Sequence, residues 1–64
     1  MLRDSRVILR RLKTEGFELI SVRGSHHKFW HPSFRTVVIV PHPKSDLPMG
    51  TVASIYKQAG WKKD

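Results

Sequence analysis

The sequence has no cysteine, which removes disulfides, thiolate nucleophiles and thiolate metal ligands from consideration. Acidic residues are scarce, five against twelve Lys and Arg, and none lies in the histidine-bearing segment from Arg23 to His31. That segment therefore has no carboxylate to orient a catalytic base or complete a metal site. Long apolar runs are also missing. The longest is Val37 to Val40, far short of a membrane span, and Met1-Leu2-Arg3-Asp4 lacks the apolar stretch of a secretory signal. The expectation is a soluble, cytoplasmic protein with no membrane partner. A length of 64 residues lies near the lower limit for an unassisted hydrophobic core, which predicts one domain over residues 1–64 and excludes a large substrate cavity.

What is abundant is positive charge. A formal net charge of +7 and a sequence pI of about 10.7 imply an anionic partner. Nucleic acid, an acidic protein and an anionic surface all meet that requirement. The charges are spread along the chain, which points to a charged face on a folded body and away from a disordered basic tail.

Asp4 or Ser5 is placed to cap a helix with the body Arg6 to Lys13, and Gly16 stands where a C-terminal glycine belongs. Ile8, Leu9 and Leu12 form its apolar side. Arg6, Arg10 and Lys13 recur at i, i+4 and i+7, either as a solvated face or as one that binds phosphate. Phe17 to Val22 is rich in β-formers and reads as a strand. A turn at Arg23 to Ser25 leads to a second strand, His27 to His31, with His27, Phe29 and His31 on one face and Lys28 and Trp30 on the other. Pro32 to Arg35 turns the chain into a third strand, Thr36 to Val40, which Pro41 ends. Because that strand is apolar on both faces, one pair of its residues is left for a covering loop or a protein interface. Prolines 41, 43 and 48 delay the second helix to about Gly50. Val52, Ile55, Tyr56 and Ala59 form its apolar stripe, Gly60 ends it, and Trp61 is expected to fold back on the body. The prediction is an α+β fold in the order α-β-β-β-α, with a three-stranded antiparallel sheet and both helices on one face.

The chemistry concentrates in Arg23-Gly24-Ser25-His26-His27-Lys28-Phe29. Glycine permits a tight link and close approach of a ligand, and histidine exchanges protons near neutral pH. Arg23 and Lys28 flank the imidazoles with positive charge suited to phosphate. Ser25 has no base oriented by a carboxylate, so it reads as a turn former. The four histidines do not suggest a metal site: His27 and His31 share a face but stand roughly 13 Å apart at strand rise, and no cofactor is expected. A non-catalytic RNA-binding module, with Phe29, Trp30 and Phe34 as stacking platforms, would account for the charge equally well.

The ordered motifs Gly16-Phe17, Gly24-Ser25-His26-His27, His31-Pro32, Val40-Pro41-His42-Pro43-Lys44, Asp46-Leu47-Pro48-Met49-Gly50-Thr51 and Lys57-Gln58-Ala59-Gly60 together resemble the HicA toxins of bacterial type II toxin–antitoxin systems. The resemblance implies a fold similar to double-stranded-RNA-binding domains, cleavage of single-stranded mRNA with inhibition of translation, and neutralisation by a HicB antitoxin. It implies that His26 is the catalytic histidine. Arg23, Gly24, Ser25, His27 and Lys28 are then the expected substrate contacts, and Trp30, Val38 and Val40 the expected centre of the antitoxin interface. The chain lacks a lysine cluster at the start of its last helix, which argues against reading duplex RNA by shape.

Overall fold

The computed structural model describes all residues from Met1 to Asp64. The elements are α1 (Ser5–Thr14), β1 (Glu18–Arg23), β2 (His26–His31), β3 (Thr36–Pro41) and α2 (Met49–Ala59). The strands form an antiparallel sheet in the order β1-β2-β3, as the sequence predicts. No helix is long and apolar enough to cross a membrane.

Of the two possible caps for α1, Asp4 takes the role. Its carboxylate accepts the Arg6 backbone N–H at 2.9 Å and pairs with the Arg6 guanidinium, also at 2.9 Å, satisfying one of the free donors at the helix start. Ser5 is instead fully buried and turns its hydroxyl toward the loop after β3. At the other end Gly16 has φ +96°, and a side chain there would meet the His31 ring, whose Nε2 lies 3.0 Å from the position of a Cβ. Glycine is thus required twice, for its backbone conformation and for space. The turn directs Phe17 into the core, so β1 begins one residue later than expected.

The core lies between one face of the sheet and the two helices. Ile8 and Leu12 from α1, Phe29 from β2, Val38 and Val40 from β3, Leu47, and Val52 from α2 are all fully buried. This corrects the expected role of Val38 and Val40: both side chains are enclosed by the core and present no surface to a partner. The pair left over on β3 is Val37, half-buried, and Ile39, 42% exposed. α2 also closes the free edge of β3, where Gln58 accepts the Ile39 N–H through Oε1 and the Thr36 hydroxyl through its carbonyl, each at 3.1 Å. β1 has no such cover and is exposed along its whole length, with a bulge between Leu19 and Ser21 of the kind that blunts an open edge.

Trp61 folds back as expected. Its indole N–H donates to Glu15 Oε1 at 2.7 Å, the Arg11 guanidinium lies 4.0 Å from its ring centre, and Tyr56 meets it edge-on at 5.2 Å. Arg11 also donates to Glu15 at 3.0 Å. Burial pushes the Glu15 carboxyl up, but the bonds from Trp61 and Arg11 outweigh it and hold the group below its ordinary value. A carboxylate depressed in this way stabilises the fold above its unfolded pKa, and that contribution is lost as pH falls through the lower folded value.

Two stability predictions arise here. Gly16→Ala should lower unfolding free energy by about 1 to 3 kcal/mol in urea titration, through backbone strain and contact with His31; an unchanged midpoint would contradict both causes. Glu15→Gln keeps an acceptor for Trp61 but does not titrate. Its stability should fall less than that of the parent between neutral pH and acid, and superimposable pH profiles would show that the carboxylate contributes nothing.

Candidate nucleic-acid interface and histidine cluster

A two-residue link, Gly24-Ser25, joins β1 to β2, with Arg23 paired to His26 across it. Gly24 has φ +57°, the left-handed value that such a hairpin takes at its first central residue. Directly paired residues on antiparallel strands present their side chains to the same face. The register therefore builds three rows on the face turned away from the helices: Arg23, His26 and Pro41; Ser21, Lys28 and Ile39; and Glu18, Trp30 and Val37. Ser21, Arg23, His26, Lys28 and Ile39 line one shallow groove. His26 and Ile39 also border a second, which runs to Thr51 and Ser54 of α2. The ion pairs of the chain engage Arg3, Arg6, Arg11 and the N-terminus, which leaves Arg23 and Lys28 free of carboxylates.

The four histidines divide by environment. His31 is buried. Its Nε2–H donates to the Glu15 carbonyl at 2.9 Å, and its Nδ1 accepts the N–H groups of Ser33 and Phe34 at 3.2 and 3.1 Å. With both nitrogens occupied and Phe34 stacked on the ring at 4.0 Å, it secures the β2–β3 turn against the end of α1.

His27 and His42 meet on the helix-side face, edge-to-face with ring centres 4.9 Å apart. The Ser25 carbonyl, which can only accept, lies 3.1 Å from His27 Nδ1. In the neutral ring the proton therefore resides on Nδ1, and Nε2 keeps its lone pair. The same carbonyl accepts the His42 backbone N–H at 2.7 Å. His42 Nδ1 stands 2.7 Å from the buried Ser5 hydroxyl, which itself accepts the Lys44 N–H at 2.8 Å. His42 Nδ1 is the acceptor within reach of the serine proton, so neutral His42 carries its own proton on Nε2. This ring borders a groove whose other walls are Arg6, Leu9, Arg10 and Lys13 of α1.

His26 differs from all three, being exposed, unbound by the chain, and set in the cation-lined groove. The structure thus gathers Arg23, His26 and Lys28 on one face, puts His27 on the other, and uses Gly24 and the Ser25 main chain to hold the bend between them. Trp30 lies farther along the open face, half-buried. No group of three His, Cys, Asp or Glu side chains is placed to hold a metal ion. Sequence reasoning missed the contact between His27 and His42 and the supporting role of Ser5. Ser5 and His42 are 37 residues apart, and no local periodicity links them; the only signal was a serine beside an equally competent cap.

Comparison with curated proteins finds no match. A family model described as HicA toxin of bacterial toxin-antitoxin matches residues 5–61, from the first turn of α1 to Trp61. The match takes in both helices, the whole sheet and every residue of the two histidine faces, and so the chain belongs to the HicA toxin family.

Proposed function

We propose that this toxin is a metal-independent endoribonuclease that cleaves mRNA in the cytoplasm, inhibits translation and growth, and is neutralised by a HicB antitoxin. The observation that carries the reading is the exposed His26 between two cations, Arg23 and Lys28, on a sheet face with no carboxylate in the groove. A neutral imidazole there takes the proton of a ribose 2′-hydroxyl. The resulting oxygen attacks the adjacent phosphorus, the bond to the 5′-oxygen breaks, and the products are a 2′,3′-cyclic phosphate and a 5′-hydroxyl. The leaving oxygen takes a proton from a second histidine or from water. Arg23 and Lys28 offset the negative charge that grows on the phosphate oxygens. Gly24 and Ser25 let the strand approach the main chain, and His27 contacts it beyond the bend.

One observation favours a second assignment of the base. His27, with its proton held by the Ser25 carbonyl, already has Nε2 free to accept, whereas His26 has no group to orient it. Single substitutions separate the two. His26→Ala should retain the native circular dichroism spectrum and lose about 100-fold or more in cleavage of single-stranded RNA, with the parent unaffected by EDTA. Wild-type cleavage by His26→Ala together with loss in His27→Ala would transfer the role, and activity abolished by EDTA and restored by a divalent ion would reject the metal-independent scheme.

Inhibition by the antitoxin is read as direct covering of His26. Tight interfaces need a desolvated apolar centre, and with Val38 and Val40 in the core that centre is Trp30, Val37 and Ile39. Ile39 borders both grooves that contain His26, so a partner seated on it closes them, and the exposed cations favour an acidic rim on that partner. Ile39→Lys should weaken HicB binding at least tenfold by calorimetry with little change in melting temperature. Unchanged affinity would move the antitoxin to another face.

A further inference from the structure

The groove beside α1 plays no part in the scheme above, although Arg6, Arg10 and Lys13 converge on it together with a histidine positioned by a buried hydroxyl. We infer that this groove is a second binding site for single-stranded RNA, one that holds the phosphodiester backbone of the strand after it has passed the Gly24-Ser25 bend. The inference rests on the reading of the chain as an RNA-cleaving toxin and extends that reading to the opposite face.

Arg6 is partly neutralised by its pair with Asp4, and no carboxylate lines the groove. Arg10 and Lys13 take part in no ion pair and are exposed, so their charge is available to a ligand. Residues 6 to 13 span about 10 Å along the helix axis, the length of roughly three stacked nucleotides at 3.4 Å each. His42 adds a donor: with Nδ1 engaged by Ser5, the ring proton is on Nε2, where it can bond a phosphate oxygen. A protein partner is a poorer fit. Leu9 is the groove's one apolar residue and is itself buried, so apart from the stems of its Arg and Lys side chains the groove offers no apolar anchor for a protein partner to desolvate.

The bend between the two faces is uncrowded at Gly24. A Cβ at Gly24 would meet nothing within 4 Å, and the Ser25 carbonyl ties His27 and His42 to the hairpin end that carries His26 on its other side. A strand crossing that end passes from Arg23 and Lys28, over Gly24, Ser25 and the His27 and His42 rings, to the cations of the α1 groove.

The test is fluorescence anisotropy with a labelled single-stranded RNA across a salt series, in a His26→Ala background so that the probe stays intact. Each phosphate contact contributes about 0.7 to the slope of log affinity against log salt. The double variant Arg10→Ala/Lys13→Ala should therefore reduce the slope by about 1.4, whereas Lys62→Ala/Lys63→Ala, with the same loss of formal charge at the tail, should reduce it by less than half as much. Affinity for HicB should stay within twofold in both. An unchanged slope in Arg10→Ala/Lys13→Ala, or an equal reduction in both variants, overturns the groove as a site while leaving the RNA-cleaving reading intact. Loss of HicB affinity with an unchanged RNA slope assigns the groove to the protein partner instead. If the His26→Ala parent itself binds no RNA, the broader reading fails and takes the groove with it.

Discussion

Phe29, Val38 and Val40 have to leave water, and each contributes about 1.5 to 3 kcal/mol by doing so. All three point to the helix-covered face of the sheet and are fully buried. Because successive side chains alternate, burying Phe29 sends Lys28 and Trp30 to the opposite face and, continuing along β2, His26 as well. A register slip of one residue would expose the three apolar side chains and bury a lysine and a histidine. The placement of the candidate catalytic group is therefore set by the packing of residues that take no part in chemistry.

A single main-chain oxygen organises the end of the sheet where the candidate functional groups meet. The Ser25 carbonyl accepts both the His27 ring N–H and the His42 backbone N–H, which binds the β1–β2 hairpin to the segment that follows β3. His42 is in turn held through Ser5, at the start of α1. Three chain segments distant in sequence thus converge behind the bend, and the cations remain distributed over both of its sides. Four of the five carboxylates are placed elsewhere, Glu15 under Trp61, Asp4 on Arg6, Asp46 on Arg3 and Asp64 at the N-terminus, and Glu18 stands at the far end of the open face, paired across to Trp30. Net charge of +7 consequently gives unopposed positive charge at the hairpin end.

Much of this was legible in the sequence. Alternation in His27 to His31 separated His27, Phe29 and His31 from Lys28 and Trp30; helical spacing gave the buried stripes of α1 and α2; and Gly16, Gly60 and Trp61 marked the ends that the structure shows. What could not be read were choices that depend on neighbours brought in from afar. Val37 to Val40 are apolar on both sides, so composition alone could not decide which pair the helices cover, and the core took Val38 and Val40. Asp4 and Ser5 are comparable caps by residue type, and the burial of Ser5 against His42 is decided by a loop almost forty residues away. The family motifs pointed to the turn as the candidate site, and alternation places two adjacent histidines on opposite sides if both lie on the strand, yet neither could show the different surroundings that the two rings meet.

In the proposed mechanism the toxin uses a histidine to turn the RNA's own 2′-hydroxyl against the neighbouring phosphate. The most direct measurement compares a single-stranded RNA with the same strand carrying a 2′-deoxy nucleotide immediately 5′ of the cleaved bond, with product ends identified by mass spectrometry. The account predicts a 2′,3′-cyclic phosphate and a 5′-hydroxyl from the first strand and no cleavage at the substituted position of the second. Cleavage of the 2′-deoxy strand at the same bond and at a comparable rate would show that water is the nucleophile and would contradict the mechanism.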